Sequence, residues 1–122
     1  MVKNWTIIRA ILLKLESSST PNTVLKAEDL QPFPKQEVAY NMRLLDEAGY
    51  IKANIRESSE GDGLIAHALA RRLTNEGHEL LVTIRSDSVW GKIQDKFKAN
   101  GLEMTFDLVL IAGKKIMESM LS

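Results

Sequence analysis

The stretch RRLTNEGHELL places His78 between Glu76 and Glu79, and His67 is the only other histidine in the 122 residues. A histidine flanked by carboxylates can act as a general base or begin a metal site. Zinc needs three or four ligands, and a metalloprotease helix sets a second histidine one turn away with a glutamate between. His78 has no such neighbour, and His67 falls in LIAHALARRL, a separate segment. No serine stands in a nucleophile elbow, and GDG at Gly61 to Gly63 lacks the lysine and following helix of a phosphate loop. With no cysteine, disulfide, thiolate and cysteine–zinc chemistry are excluded. These patterns predict no catalytic centre, no metal and no cofactor. His78 is expected to be a partly buried polar residue at the start of a helix, and Gly77 a point of close approach to a neighbouring element.

Composition sets the frame for any other activity. Hydrophobic residues make up 44% and charged residues 26%, the balance of a chain that folds as one soluble domain over 1–122. The 16 basic and 16 acidic residues cancel, so a nucleic acid or anionic surface has to be met by a local patch. Arg9 and Lys14 interrupt the apolar run of MVKNWTIIRAILLKLE, and no small-residue cleavage site follows. Neither signal peptide nor membrane span is expected, and the cytoplasm is the default compartment, with no membrane partner.

The elements follow from periodicity. Trp5, Ile8, Ile11, Leu12 and Leu15 recur at helical spacing behind Asn4, a good N-cap, and predict a helix over about 5–16. SSSTPN reads as a loop, and VLKAEDLQ allows one or two helical turns before Pro32. A longer helix opens near Pro34 and ends at Gly49, with Val38, Met42 and Leu45 inward, Asn41 and Ala48 flanking, and Lys35, Gln36, Tyr40, Arg43 and Glu47 outward. Ile51, Ala53 and Ile55 then alternate with Lys52, Asn54 and Arg56, as in a strand with one wet face. After the turn cluster SSEGDG, alanine and leucine favour helix by propensity, but a lone strand needs a partner, so a return strand is predicted at about Ala66 to Leu73. Three further helices are expected: one capped by Thr74, one capped by Ser86 or Asp87 and ended by Asn100 and Gly101, and one from near Thr105. The fold class is mainly α with a small β-hairpin, an α+β arrangement.

Helix, short helix, third helix and then a hairpin is the order of a winged helix-turn-helix. VAYNMRLLDEAGYI resembles the recognition-helix signature of winged-helix repressors, with Ala39 and Asn41 where serine and histidine commonly stand. RLTNEGHELL resembles the end of the wing in that superfamily. LLDEAGYI, RLTNEGHELL, the DSVW helix start and TFDLV together, spanning about Trp5 to Leu121, resemble more closely a family of uncharacterised small proteins from bacteria, prophages and phages. While the element order sets a winged-helix part over 4–73 and a helical part over 74–122, that resemblance implies a winged-helix-like fold and a mobile-element origin. It implies no particular activity.

A winged helix sets the outer face of its third helix in the major groove and its wing against backbone or minor groove. The residues expected on double-stranded DNA are therefore Lys35, Gln36, Tyr40 and Arg43, with Arg56, Arg71, Arg72 and the turn serines Ser58 and Ser59. Against this, Lys35 to Glu57 is neutral, and Glu60 and Asp62 make the turn acidic. The last segment, TFDLVLIAGKKIMESMLS, is apolar on more than one side. Phe106, Val109, Leu110, Ile116, Met117, Met120 and Leu121 are expected to join copies into a dimer or trimer. Two functions remain open at this point: a DNA-binding transcriptional regulator of phage or prophage origin, and a non-catalytic oligomeric module that contacts another protein.

Overall fold

A computed structural model describes residues 1–18 and 20–122. The elements run α1 (Trp5–Glu16), β1 (Leu25–Lys26), a 3-10 turn (Ala27–Asp29), α2 (Lys35–Glu47), β2 (Ile51–Glu57), β3 (Ile65–Leu73), α3 (Asn75–Ile84), α4 (Asp87–Asn100) and α5 (Phe106–Leu121). Among the described residues the fold is α+β, with five α-helices and a three-stranded antiparallel sheet in the order β1-β3-β2. Contacts group into two compact units, Met1–His78 and Glu79–Ser122, and the division falls inside α3.

In the first unit, α1 starts where the Asn4 side chain accepts a hydrogen bond from the Ile7 N–H, and it buries Ile7, Ile8, Ile11, Leu12 and Leu15. Ile7 joins the expected stripe, while Trp5 is only half-buried. Helix α2 buries Val38, Ala39, Asn41, Met42 and Leu45. Ala39 joins the buried face, while Ala48, expected to flank it, is exposed. Asn41 is buried without loss, because its Oδ1 accepts from the Asn4 N–H at 2.8 Å and its Nδ2 donates to Glu37 O at 2.8 Å. One polar side chain on α2 thereby fixes the start of α1.

The sheet corrects the sequence reading in one respect. VLKAEDLQ holds a two-residue strand before a single 3-10 turn, where only helical turns were expected, and Leu25 and Lys26 pair with Ala70 and Leu69. Two residues have no period to read, so the pairing is invisible until β3 is in place. Strand β3 is therefore central, with β2 on its other side. Its register with β2 slips twice, between Lys52 and Ala53 and between Arg56 and Glu57, which leaves Arg71 and Ala66 as extra residues on β3. The turn between β2 and β3 is closed by Ser58 N–H to Leu64 O at 2.9 Å and by Asp62 Oδ1, which accepts from the Leu64 N–H at 3.0 Å.

In the second unit, α4 is capped by Ser86, whose side chain accepts from the Val89 N–H, and it ends at Gly101 in the left-handed conformation. Helix α5 starts on Thr105, whose side chain accepts from the Leu108 N–H. It passes close to α3 and α4 at Gly113, where a Cβ would lie 2.0 Å from Thr83 Cγ2 and 3.2 Å from Ile93 Cδ1. No helix among the described residues is long and apolar enough to cross a membrane.

Candidate nucleic-acid interface

The stretch around His78 is a joint. Thr74 Oγ1 donates to Gly49 O at 2.6 Å and accepts from the Gly77 N–H at 3.0 Å, while the Thr74 N–H donates to Tyr50 O at 3.1 Å. One threonine thus caps α3 and ties it to the segment that turns from α2 into β2. Gly77 lies against that same segment: a Cβ there would stand 1.9 Å from Tyr50 O. His78 is exposed, where partial burial was expected, because the inward positions of that helix turn belong to Gly77 and Leu80. His67 is exposed on β3, opposite Arg56. Among the described residues no group of three histidine, aspartate or glutamate side chains is placed to hold a metal ion.

The residues expected on DNA fall into two groups. Lys35, Gln36, Tyr40 and Arg43 lie along one side of α2, near the turn end of the hairpin. Lys35 Nζ donates to Ala66 O at 3.1 Å, and Gln36 makes a two-way bracket with Ile65, Nε2 to O at 2.7 Å and Oε1 from N–H at 3.0 Å. The Gln36 amide is therefore committed to the end of β3. Arg43 pairs with Glu57 at 3.2 Å and lies 5.5 Å from the Tyr40 ring centre. With 30% and 74% of the two side chains exposed, that ion pair contributes about 0–1 kcal/mol and leaves Arg43 movable. Arg56 belongs to the outer face of β2, opposite His67. Ser58 is half-buried and Ser59 exposed in the turn.

Arg71 and Arg72 lie at the far end of β3, roughly 20 Å from Ile65 at about 3.3 Å per residue. Neighbours on a regular strand point to opposite faces. Here the bulge turns both to one side: Arg72 faces Lys52, and Arg71 Nε donates to Asn54 Oδ1, two residues along the same outer face of β2. Both arginines line an open cleft of about 440 Å³ with Leu15, Glu16, Ser18, Thr20 and His78. Two arginines, a histidine and two hydroxyl residues thus border the cleft, and Glu16 is the one carboxylate residue among its described lining. Sequence reasoning named both arginines but left their register open, and only the strand pairing resolves it.

The expected oligomer residues divide as well. Val109 and Ile116 are buried, and Phe106, Leu110 and Met117 are partly covered. Met120 and Leu121 are exposed. Two residues that were not expected, Leu108 and Ile111, stand 40% and 51% exposed and line a shallow groove of about 180 Å³ with Phe97, Leu102, Lys96 and Lys115.

Comparison with known proteins places the chain. Residues 2–103 match the family described as "Hypothetical protein (DUF2513)". A relative from Haemophilus influenzae (strain ATCC 51907 / DSM 11121 / KW20 / Rd), described as "Uncharacterized protein", is 38% identical over 122 residues, which is 100% of each chain. No solved structure matches. The chain belongs to the DUF2513 family.

Proposed function

We propose that this DUF2513 member is a non-catalytic, cytoplasmic DNA-binding protein of the winged helix-turn-helix type, and that it serves as a transcriptional regulator of phage or prophage origin. The observation that carries the reading is the order and packing of the first unit. Helix α1, the 3-10 turn and α2 precede the β2–β3 hairpin, α2 packs on both hairpin strands, and β1 pairs back onto β3. That is the order in which a winged helix presents its third helix and its wing to a duplex. The test is a titration of a labelled mixed-sequence DNA duplex with the full chain at low ionic strength. Binding that weakens steeply with added salt supports the reading. The absence of any shift at low salt overturns it.

A second reading, an oligomeric module that contacts protein, is favoured by the exposed apolar residues of α5. Ile111 is 51% and Leu121 88% exposed on a helix that already supplies Val109 and Ile116 to the interior. A monomeric mass for the full chain in sedimentation would remove self-association from it.

A further inference from the structure

The sheet face turned away from α1 and α2 carries a charge pattern that composition hides. Three cross-strand rows make up this face: Arg56 opposite His67, Lys26 and Asn54 flanking Leu69, and Lys52 opposite Arg72. Arg71, displaced by the bulge, reaches the second row through Asn54. Lys26, Lys52, Arg56, Arg71 and Arg72 are all exposed, and none makes an ion pair among the described residues. The segment 1–78 holds ten basic and ten acidic residues. Half of the basic ones stand in these rows and none of the acidic ones does.

Several carboxylates around the face are engaged in contacts of their own, while Glu16 lines the cleft beside Arg71 and Arg72. Glu57 is paired with Ile65 on the opposite face and bonds Arg43. Asp46 accepts from the Ala53 N–H at 3.0 Å, Asp29 from the Lys26 N–H at 3.3 Å, and Asp62 is engaged in the turn. Glu28 borders the face; its carboxyl is held below the ordinary value first by a hydrogen bond to its own backbone, then by the charges of Lys35, Lys26 and His67. Like charges directly opposite each other on a sheet destabilise it. The Lys52–Arg72 row therefore works against the fold in isolation, and a bound polyanion would reverse its sign.

We propose that this open sheet face binds the phosphate backbone of double-stranded DNA, with Arg71, Arg72, Lys52 and Arg56 as its main contacts. The inference rests on the DNA-binding reading and moves the principal electrostatic contact from α2 and the acidic hairpin turn to the sheet. Rows about 7 Å apart give a basic strip about 13 Å long, at about 3.3 Å per residue. Duplex DNA presents a charge every ~1.7 Å of axis, so such a strip meets several phosphates. The face has no phenylalanine, tyrosine or tryptophan, the usual stacking platforms for single-stranded nucleic acid; its one ring is the His67 imidazole. Within these rows the one large apolar residue, Leu69, is half-buried, too little to anchor in a lipid surface.

The test measures the salt dependence of binding to a labelled mixed-sequence duplex, with the full chain, by fluorescence anisotropy. Arg71→Gln with Arg72→Gln is expected to weaken binding equally for unrelated sequences and to lower the log–log salt slope by about two, at ~0.9 per phosphate contact. Lys96→Gln with Lys115→Gln makes the same change in net charge in the second unit and is expected to leave the slope unchanged. Where thermal unfolding shows the arginine variant to be misfolded, Lys52→Gln with Arg56→Gln carries the same expectation. Wild-type affinity and slope in the sheet variants overturn the inference while the DNA-binding reading stands, and so does an equal loss in the Lys96/Lys115 control. No binding by the wild-type chain overturns both. Binding to vesicles of equal parts phosphatidylserine and phosphatidylcholine, with none to the duplex, overturns the inference in favour of a membrane.

Discussion

A Cβ at position 77 would lie 1.9 Å from the backbone oxygen of Tyr50, and that oxygen is held in place by the Thr74 N–H. Neither atom can withdraw without opening the link between β2 and α3. Gly77→Ala is therefore expected to destabilise the protein by about 3 kcal/mol, even though alanine is the better helix former by about 1 kcal/mol. Gly113→Ala meets Thr83 Cγ2 at 2.0 Å, a side-chain methyl that can move. Its expected cost is smaller, about 1–2 kcal/mol. Urea unfolding of the two variants checks the order, and a neutral Gly77→Ala would show that the joint is loose. The sequence pointed to Gly77 as a close approach, but its partner, a carbonyl 27 positions earlier in the chain, became visible only in the fold.

Strand β3 shows why element type was hard to read from IAHALARRL. Its core-facing residues are Ile65, Ala68, Ala70 and Leu73, at spacings of three, two and three. Each spacing of three is a bulge, at Ala66 and at Arg71. Two bulges in nine residues break the alternation that marks a strand, and the alanine and leucine content favours helix by propensity. The need of β2 for a backbone partner is what decided for a strand. Gln36 closes the first bulge from α2 through both hydrogen bonds to Ile65. Gln36→Ala is expected to cost about 1–2 kcal/mol and to speed hydrogen exchange of the Ile65 amide. If that variant instead leaves stability and exchange unchanged, the bracket contributes nothing and the Gln36 amide is available to a ligand.

At the scale of the whole chain, neutrality conceals arrangement. Both 1–78 and 79–122 contain equal numbers of basic and acidic residues, yet the open sheet face gathers cations alone. On α5 the same principle holds for apolar residues: Val109 and Ile116 are buried while Leu108 and Ile111 face outward. Leu108→Lys with Ile111→Lys is accordingly expected to reduce the sedimentation mass if the chain self-associates through α5, with the thermal midpoint unchanged. A variant that keeps the wild-type oligomeric mass would place any contact elsewhere, at Met120 and Leu121 for instance.

Local chemistry in the sequence determined the caps at Asn4, Thr74, Ser86 and Thr105, the stop at Gly101 and the change from helix to strand after Gly49. Each of these depends on residues within a few positions of one another. Tertiary structure alone decided the β1 pairing, the two bulges and the side of the sheet on which Arg71 and Arg72 emerge. Those features depend on register between strands far apart in the chain, and a slip of one residue exchanges the two faces of a sheet.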